Sequence, residues 1–304
     1  MKKAFVSFSI VAASLAAVTL TSCGDDKDEK KADVTDTTDE DTTSQDNNAD
    51  NGEFQGEKRL PTPREFFEII RQIGGKSQPE LLMPVDKADQ YTDNRMRALA
   101  FGVYSADIAY LSSFEIGTNT FVYLSTLEKI ANAMDLGGIF DKELKDRMKK
   151  NDGNIDSLFA LGDMAYYKSV EYLHFDQAED VLGLMLAGAW VESMYIVTST
   201  AGEFKADNPI FQNLEGQYLV LETIMEYLTP FMDDDMILQV YGSLDEIYQA
   251  YMSGGLSEES ATTKTENGKV VLSGGQRVTL TAESYGKIVE KIKALRGLIL
   301  TNEI

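Results

Sequence analysis

Two stretches of about twenty residues restrict this fold more than anything else in the chain. In the first, Thr92 to Phe114, the residues Phe101, Tyr104, Ile108 and Leu111 form an apolar stripe at helical spacing. Val103, Tyr110 and Phe114 form a second stripe beside it. A helix apolar on several faces belongs in an interior, so this one should be largely buried. The second stretch, Val181 to Thr200, is apolar almost without interruption.

The surrounding sequence is helical in pattern. Thr62 can cap a short helix opening at Pro63, whose apolar face is Phe66, Phe67, Ile70 and Ile73 and whose end is Gly74-Gly75. Ser77 to Asp89 holds two prolines and reads as a loop. Further helices are expected from Thr118 to Leu136, stopped by Gly137-Gly138, from Asp141 to Lys150, and from Asn154 to His174, with Asn151-Asp152-Gly153 as a turn. Phe211 to Leu228 reads as one helix, Asp233 to Tyr251 as another and Ala282 to Leu300 as the last. The acids Asp233 to Asp235 suit a helix N-terminus. Lys269 to Leu280, with Ser273-Gly274-Gly275 as its turn, can form a small hairpin or a surface loop. The fold class is therefore all-α: a multi-helix bundle or short αα-hairpin array of about eight or nine helices, with a possible small β-hairpin before the last helix.

A faint internal repeat accompanies this pattern. Leu99-Ala100-Phe101-Gly102-Val103-Tyr104 can be laid on Met185-Leu186-Ala187-Gly188-Ala189-Trp190. In the helices that follow, Val122-Tyr123-Leu124 can be laid on Gln217-Tyr218-Leu219. Gly102 and Gly188 would let a neighbouring helix approach closely. No spacing matches a known helical repeat family.

Stability must come from packing, because Cys23 is the only cysteine and no internal disulfide is possible. Cys23 has a particular setting. Lys2 and Lys3 precede an apolar run from Ala4 to Leu20, of secretory-signal length and short for a membrane span. The run closes on Leu20-Thr21-Ser22-Cys23. These four residues resemble the lipobox of bacterial lipoproteins. The resemblance implies a signal peptide over residues 1–22, a diacylglyceryl group on the Cys23 thiol, and cleavage before Cys23. Two or more acyl chains hold a protein stably to a membrane.

Residues 24–58 carry thirteen acids against four lysines and a single large apolar residue, Phe54. Such a segment cannot bury enough surface to offset its ordering entropy. With the lipidated Cys23 it reads as a disordered tether over residues 23–58, spanning roughly 30–35 Å as a flexible coil. Its start, Gly24-Asp25-Asp26-Lys27-Asp28-Glu29, resembles the acidic signal that sends lipoproteins of Bacteroidota to the cell surface. The resemblance implies an outer-membrane lipoprotein displayed outside. The alternative is a spacer on a lipoprotein facing the periplasm. Residues 59–304 would be the folded helical domain.

The formal net charge of -22 argues against nucleic acid as a partner, since phosphate binding needs clustered Lys and Arg. It also argues against electrostatic docking on anionic lipid. His174 is the only histidine, which excludes multi-histidine metal sites, and no zinc, P-loop or nucleophile-elbow motif occurs. Asn151 to Asp156 lacks the spacing of a calcium loop. No cofactor or metal is expected.

The sharpest chemical pattern is an acid three residues before a tyrosine on apolar helices. It occurs at Asp107 and Tyr110, at Asp163 and Tyr166, and at Glu192 and Tyr195, the last beside Trp190, the single tryptophan. That spacing puts both groups on one helix face, and a carboxylate among apolar residues is costly unless paired. These seven residues are candidates for a ligand-binding pocket suited to a cationic or sugar-like molecule. The bland reading pairs such acids with helix ends or with Arg95 or Arg97. The same spacing recurs at Glu215 and Tyr218 and at Asp245 and Tyr248.

Three functions follow as expectations. The first is a lipid-anchored, non-enzymatic envelope protein presenting a helical binding or scaffold domain, with another envelope protein or a small ligand as partner. The second is a carboxylate-dependent glycan hydrolase using Asp107, Asp163 and Glu192. The third is a purely structural envelope protein. The whole resembles the all-helical lipoproteins of Bacteroidota, on the strength of the lipobox and acidic leader alone.

Overall fold

A computed structural model of the protein describes residues 62–304 except 118, 152–153, 177 and 267–268, with the backbone alone across 258–276. The expectations for the signal peptide, Cys23, the tether and the turn at 152–153 lie outside the described residues. The regular structure of the described chain is helical apart from one two-stranded sheet.

The chain enters through α1 (Pro63–Gln72), opened by a capping box in which Thr62 and Glu65 satisfy each other's backbone N–H groups. Residues 73–93 form an irregular connection containing the 3-10 turns Pro79–Leu81 and Val85–Gln90. Then come α2 (Asn94–Ser113), α3 (Thr120–Ala133), α4 (Lys142–Lys150), α5 (Ile155–Phe175), α6 (Glu179–Ala201), α7 (Pro209–Glu215), α8 (Gln217–Leu228) and α9 (Asp235–Met252). A hairpin of β1 (Leu256–Glu266) and β2 (Lys269–Val278) leads to α10 (Ala282–Thr301).

The two apolar stretches become the centre. Every residue from Ala98 to Ser113 on α2, and from Leu182 to Met194 on α6, is buried. Among the described residues α6 is the one helix long and apolar enough to cross a membrane, but 89% of its apolar window is buried inside the fold. α2 and α6 pack directly on each other, with α1, α3 and α5 against α2 and α8 and α10 against α6. The crossing is set by two glycines. A Cβ at Gly102 would overlap the Met185 carbonyl oxygen and come within 2.6 Å of the Ala189 nitrogen. A Cβ at Gly188 would overlap the Leu99 carbonyl oxygen. Leu99 and Met185, aligned in the faint repeat, thus trade places across the crossing, as a local two-fold relation requires.

Four details depart from the sequence pattern. The expected helix over 211–228 is two, parted at Gly216, which brings the described α-helices to ten. Gly weakens a helix by about 1 kcal/mol, and here Glu215 turns its carboxylate to the hairpin root, accepting the Leu280 N–H at 3.1 Å and pairing with Arg277 at 3.1 Å. α3 stops at Ala133, before Gly137-Gly138. Asp135 takes a left-handed conformation (φ 60) while Leu136, Ile139 and Phe140 drop into the core. β2 continues through Ser273-Gly274-Gly275, opposite a register shift between Glu259 and Thr262, and the last pair of the ladder is Glu266 and Lys269. The Asn267-Gly268 dipeptide was the stronger hairpin signal. Arg95 and Arg97 are not the partners of the buried acids. Arg95 pairs with Asp234 at 3.0 Å, and Arg97 donates to the carbonyls of Tyr91 and Ala133, both at 3.0 Å.

The crossing predicts opposite effects for the same change. Gly102→Ala should destabilise the protein by about 3 kcal/mol, because backbone atoms of α6 cannot move aside as a flexible side chain would. Gly242→Ala, in an exposed turn of α9 where an added Cβ meets nothing within 4 Å, should stabilise by about 0.5–1 kcal/mol. Urea denaturation of both variants checks the contrast.

Candidate functional site

The connection between α1 and α2 crosses the bundle with little regular structure, and Leu82 and Met83 on it are buried. Its short 3-10 turns satisfy only part of its backbone, and burying the remaining polar groups unpaired is costly. Side chains of three helices fill the need. The Met83 N–H donates to Asp107 Oδ2 at 3.1 Å. The Gln78 N–H donates to the Tyr110 hydroxyl oxygen. Tyr123 donates its hydroxyl to the Met83 carbonyl at 3.0 Å and Tyr104 to the Pro84 carbonyl at 2.8 Å. Arg296 Nη2 donates to the Leu81 carbonyl at 3.0 Å. At the far end the Tyr91 hydroxyl donates to the Ile299 carbonyl at 3.1 Å.

Asp107 and Tyr110 therefore share a helix face, as their spacing predicts, and use it to grip the connection. Glu192 and Tyr195 also act together, on a different object. Arg296 Nε donates to Glu192 Oε2 at 2.8 Å and Nη2 to Oε1 at 3.0 Å, a two-pronged ion pair. The guanidinium carbon lies 3.9 Å from the centre of the Tyr195 ring. Asp107 and Glu192 are both 0% exposed and Arg296 is 7% exposed.

The third pair is elsewhere. Asp163 on α5 pairs with Arg64 of α1, near the surface. Asp163 and Tyr166 border a depression of about 10 Å³. Tyr166 also borders a second depression of about 30 Å³, with Trp190, Thr62, Phe66 and Gln217. Trp190 donates its Nε1–H to Gln217 Oε1 at 3.2 Å. Such spaces hold on the order of one water, against about 300 Å³ or more for a ligand pocket. Among the described residues no group of three His, Cys, Asp or Glu could hold a metal.

The electrostatics follow the burial. Burial raises the Asp107 carboxyl well above the usual aspartate range, and the adjoining Glu192 raises it further, against the pull of Arg296. Glu192 is raised by burial too, with Arg296 opposing. Burial pulls Arg296 down, but Glu192, with Tyr195 and Asp107, more than offsets it, so the guanidinium holds its proton more firmly than usual. Asp163 is raised by burial against the opposing Arg64. Burial also raises Tyr104 and Tyr123, so both stay un-ionised and able to donate.

The spacing pattern missed Arg296, 104 residues from Glu192 in sequence. A signal was there. Arg296 falls four residues after Ile292 and three before Ile299, on the buried stripe of α10. A lone cation in that stripe calls for a buried anion.

Removing one partner of a buried ion pair leaves the other uncompensated. Arg296→Ala should cost about 3–5 kcal/mol, and Arg296→Lys should recover only part of it, lacking the planar fork. Tyr123→Phe should cost about 1 kcal/mol. Chemical denaturation of the three variants tests this order. Comparison with family models, with curated proteins and with solved structures gave no match, so the reading of this site rests on its geometry.

Proposed function

We propose that the protein is a lipid-anchored envelope lipoprotein whose helical domain serves as a non-enzymatic binding or scaffold module on the outer face of the outer membrane. The anchor reading is supported by Leu20 to Cys23 after a charged and apolar leader, and the outward reading by the acids from Asp25 to Glu29. The observation that carries the module reading is the position of the acids. A glycan hydrolase needs two carboxyls facing one open cleft, about 5–9.5 Å apart. Asp107 and Glu192 adjoin each other but are sealed from solvent, and Asp163 is tied to Arg64 on another part of the domain. Each is engaged in holding the fold.

The test is made on whole cells. Radiolabelled fatty acid should enter the wild-type protein and be lost in Cys23→Ala. Protease added to intact cells should shed the wild-type domain. A label that persists in Cys23→Ala would overturn the anchor. A domain protected until the outer membrane is opened would turn the module to face the periplasm.

A further inference from the structure

Three ionisable side chains meet inside the bundle, and their charges do not balance if all three are ionised. Asp107 and Glu192 are two carboxyls, and Arg296 is one cation. The other groups around Asp107 bring no positive charge: Tyr104 on α2, Tyr123 on α3, Tyr195 on α6, and Tyr91 on the connection, with Asp86 adding an acid beside Tyr104. Two sealed carboxylates against one guanidinium would leave a bare negative charge in the core, which is prohibitive.

The hydrogen bonds show where the remedy lies. Both oxygens of Glu192 accept from Arg296. Asp107 accepts only through Oδ2, from Met83, while its Oδ1 is buried and has no partner as long as it can only accept. The two carboxyls lie within hydrogen-bonding reach of each other. One proton on Asp107 neutralises the cluster, gives the orphan oxygen a bond, and turns the contact between the carboxyls from repulsive to attractive.

We infer that Asp107 is an un-ionised carboxylic acid in the folded protein at neutral pH, donating to the Glu192 carboxylate, and that this proton latches the connection between α1 and α2 to the core. Burial and the neighbouring Glu192 both push the Asp107 pKa in the direction this requires. When the proton leaves, no bond within the protein can replace it, and the excess charge must draw water. The connection, held at Leu81 and Met83 by this same cluster, is the irregular element beside it and gives way first.

The sign of the linkage is fixed. In the unfolded chain Asp107 titrates near an ordinary aspartate, and folding raises its pKa. The stabilisation is therefore full below the ordinary aspartate value and is lost as pH rises towards the folded value. Within that window one proton is released on unfolding, so the unfolding constant rises tenfold per pH unit.

The full chain can be tested by infrared spectroscopy in heavy water and by hydrogen exchange. Wild-type protein at neutral pH should show the C=O stretch of an un-ionised carboxyl. Asp107→Asn should lose that band and still fold, because its Oδ1 can accept from Met83 and its Nδ2 can donate to Glu192. Its unfolding constant should rise tenfold less per pH unit than that of the wild type. Amides of residues 77–91 should exchange faster, relative to intrinsic rates, as wild type is made alkaline, and Asp107→Asn should abolish the change. Wild type without an un-ionised carboxyl at neutral pH overturns the inference, whatever the variant does. A band that survives in Asp107→Asn puts the proton on another acid, Glu192 or Asp163, whose carboxyls burial also raises, and overturns it too. Exchange at 77–91 that is constant through the titration removes the latch.

Discussion

Everything in this fold depends on how closely α2 and α6 approach. Gly102 and Gly188 remove the side chains that would hold the helices apart, and the carbonyls of Met185 and Leu99 occupy the space. Asp107 follows Gly102 by five residues and Glu192 follows Gly188 by four. The two acids meet because the backbones meet. Both pairs keep the same order along their helices, so α2 and α6 run in one direction, and a contact at the glycines becomes a contact between carboxyls about one turn later. A wider crossing would separate Asp107 from Glu192 and leave the connection after α1 without its main anchor.

The polar cluster solves a problem that the apolar core creates. Two helices buried on all sides need a complete jacket, and part of it is supplied by residues 77–91, which form only short 3-10 turns. The backbone groups that those turns leave over have to be paired from outside. Asp107, Tyr104, Tyr110, Tyr123 and Arg296 do so, and they come from α2, α3 and α10. The last helix thereby fixes a segment that lies more than two hundred residues earlier. The Tyr91 hydroxyl bonded to Ile299 and Gln90 bonded to Leu300 extend the same seam. The N-terminal and C-terminal parts of the described chain are one cooperative unit for this reason.

Much of this was legible in the sequence. The helices around Phe101 and Leu184, the cap at Thr62, the acid start at Asp234 and the close approach at Gly102 and Gly188 all rest on local chemistry: periodicity, a side chain that bonds its own backbone, a missing Cβ. What was not legible depends on distant parts of the chain. The break at Gly216 follows from Glu215 reaching Leu280 and Arg277. The early end of α3 follows from where Leu136 and Phe140 find a core. The acid-to-tyrosine spacing stated that two groups share a face and nothing about what that face meets. It met the connection at Asp107, a guanidinium at Glu192 and the surface beside α1 at Asp163. One pattern served three tasks because the environment, absent from the pattern, decides the task.

A buried ion pair is weak evidence of stabilisation by itself, since apolar residues of the same volume often replace one at no loss. Here that exchange is blocked. If Asp107, Glu192 and Arg296 all became apolar, the charges would vanish together, but the buried Met83 N–H and the partly buried Leu81 carbonyl would lose their partners. Each orphan would cost about 1–3 kcal/mol. The cluster is therefore held in place by the irregular backbone it serves, and the backbone is irregular because Pro79 and Pro84 forbid a continuous helix there. Asp107, Glu192 and Arg296 are the counterpart of two prolines: where the chain cannot satisfy its own backbone, charge is brought into the core to do it.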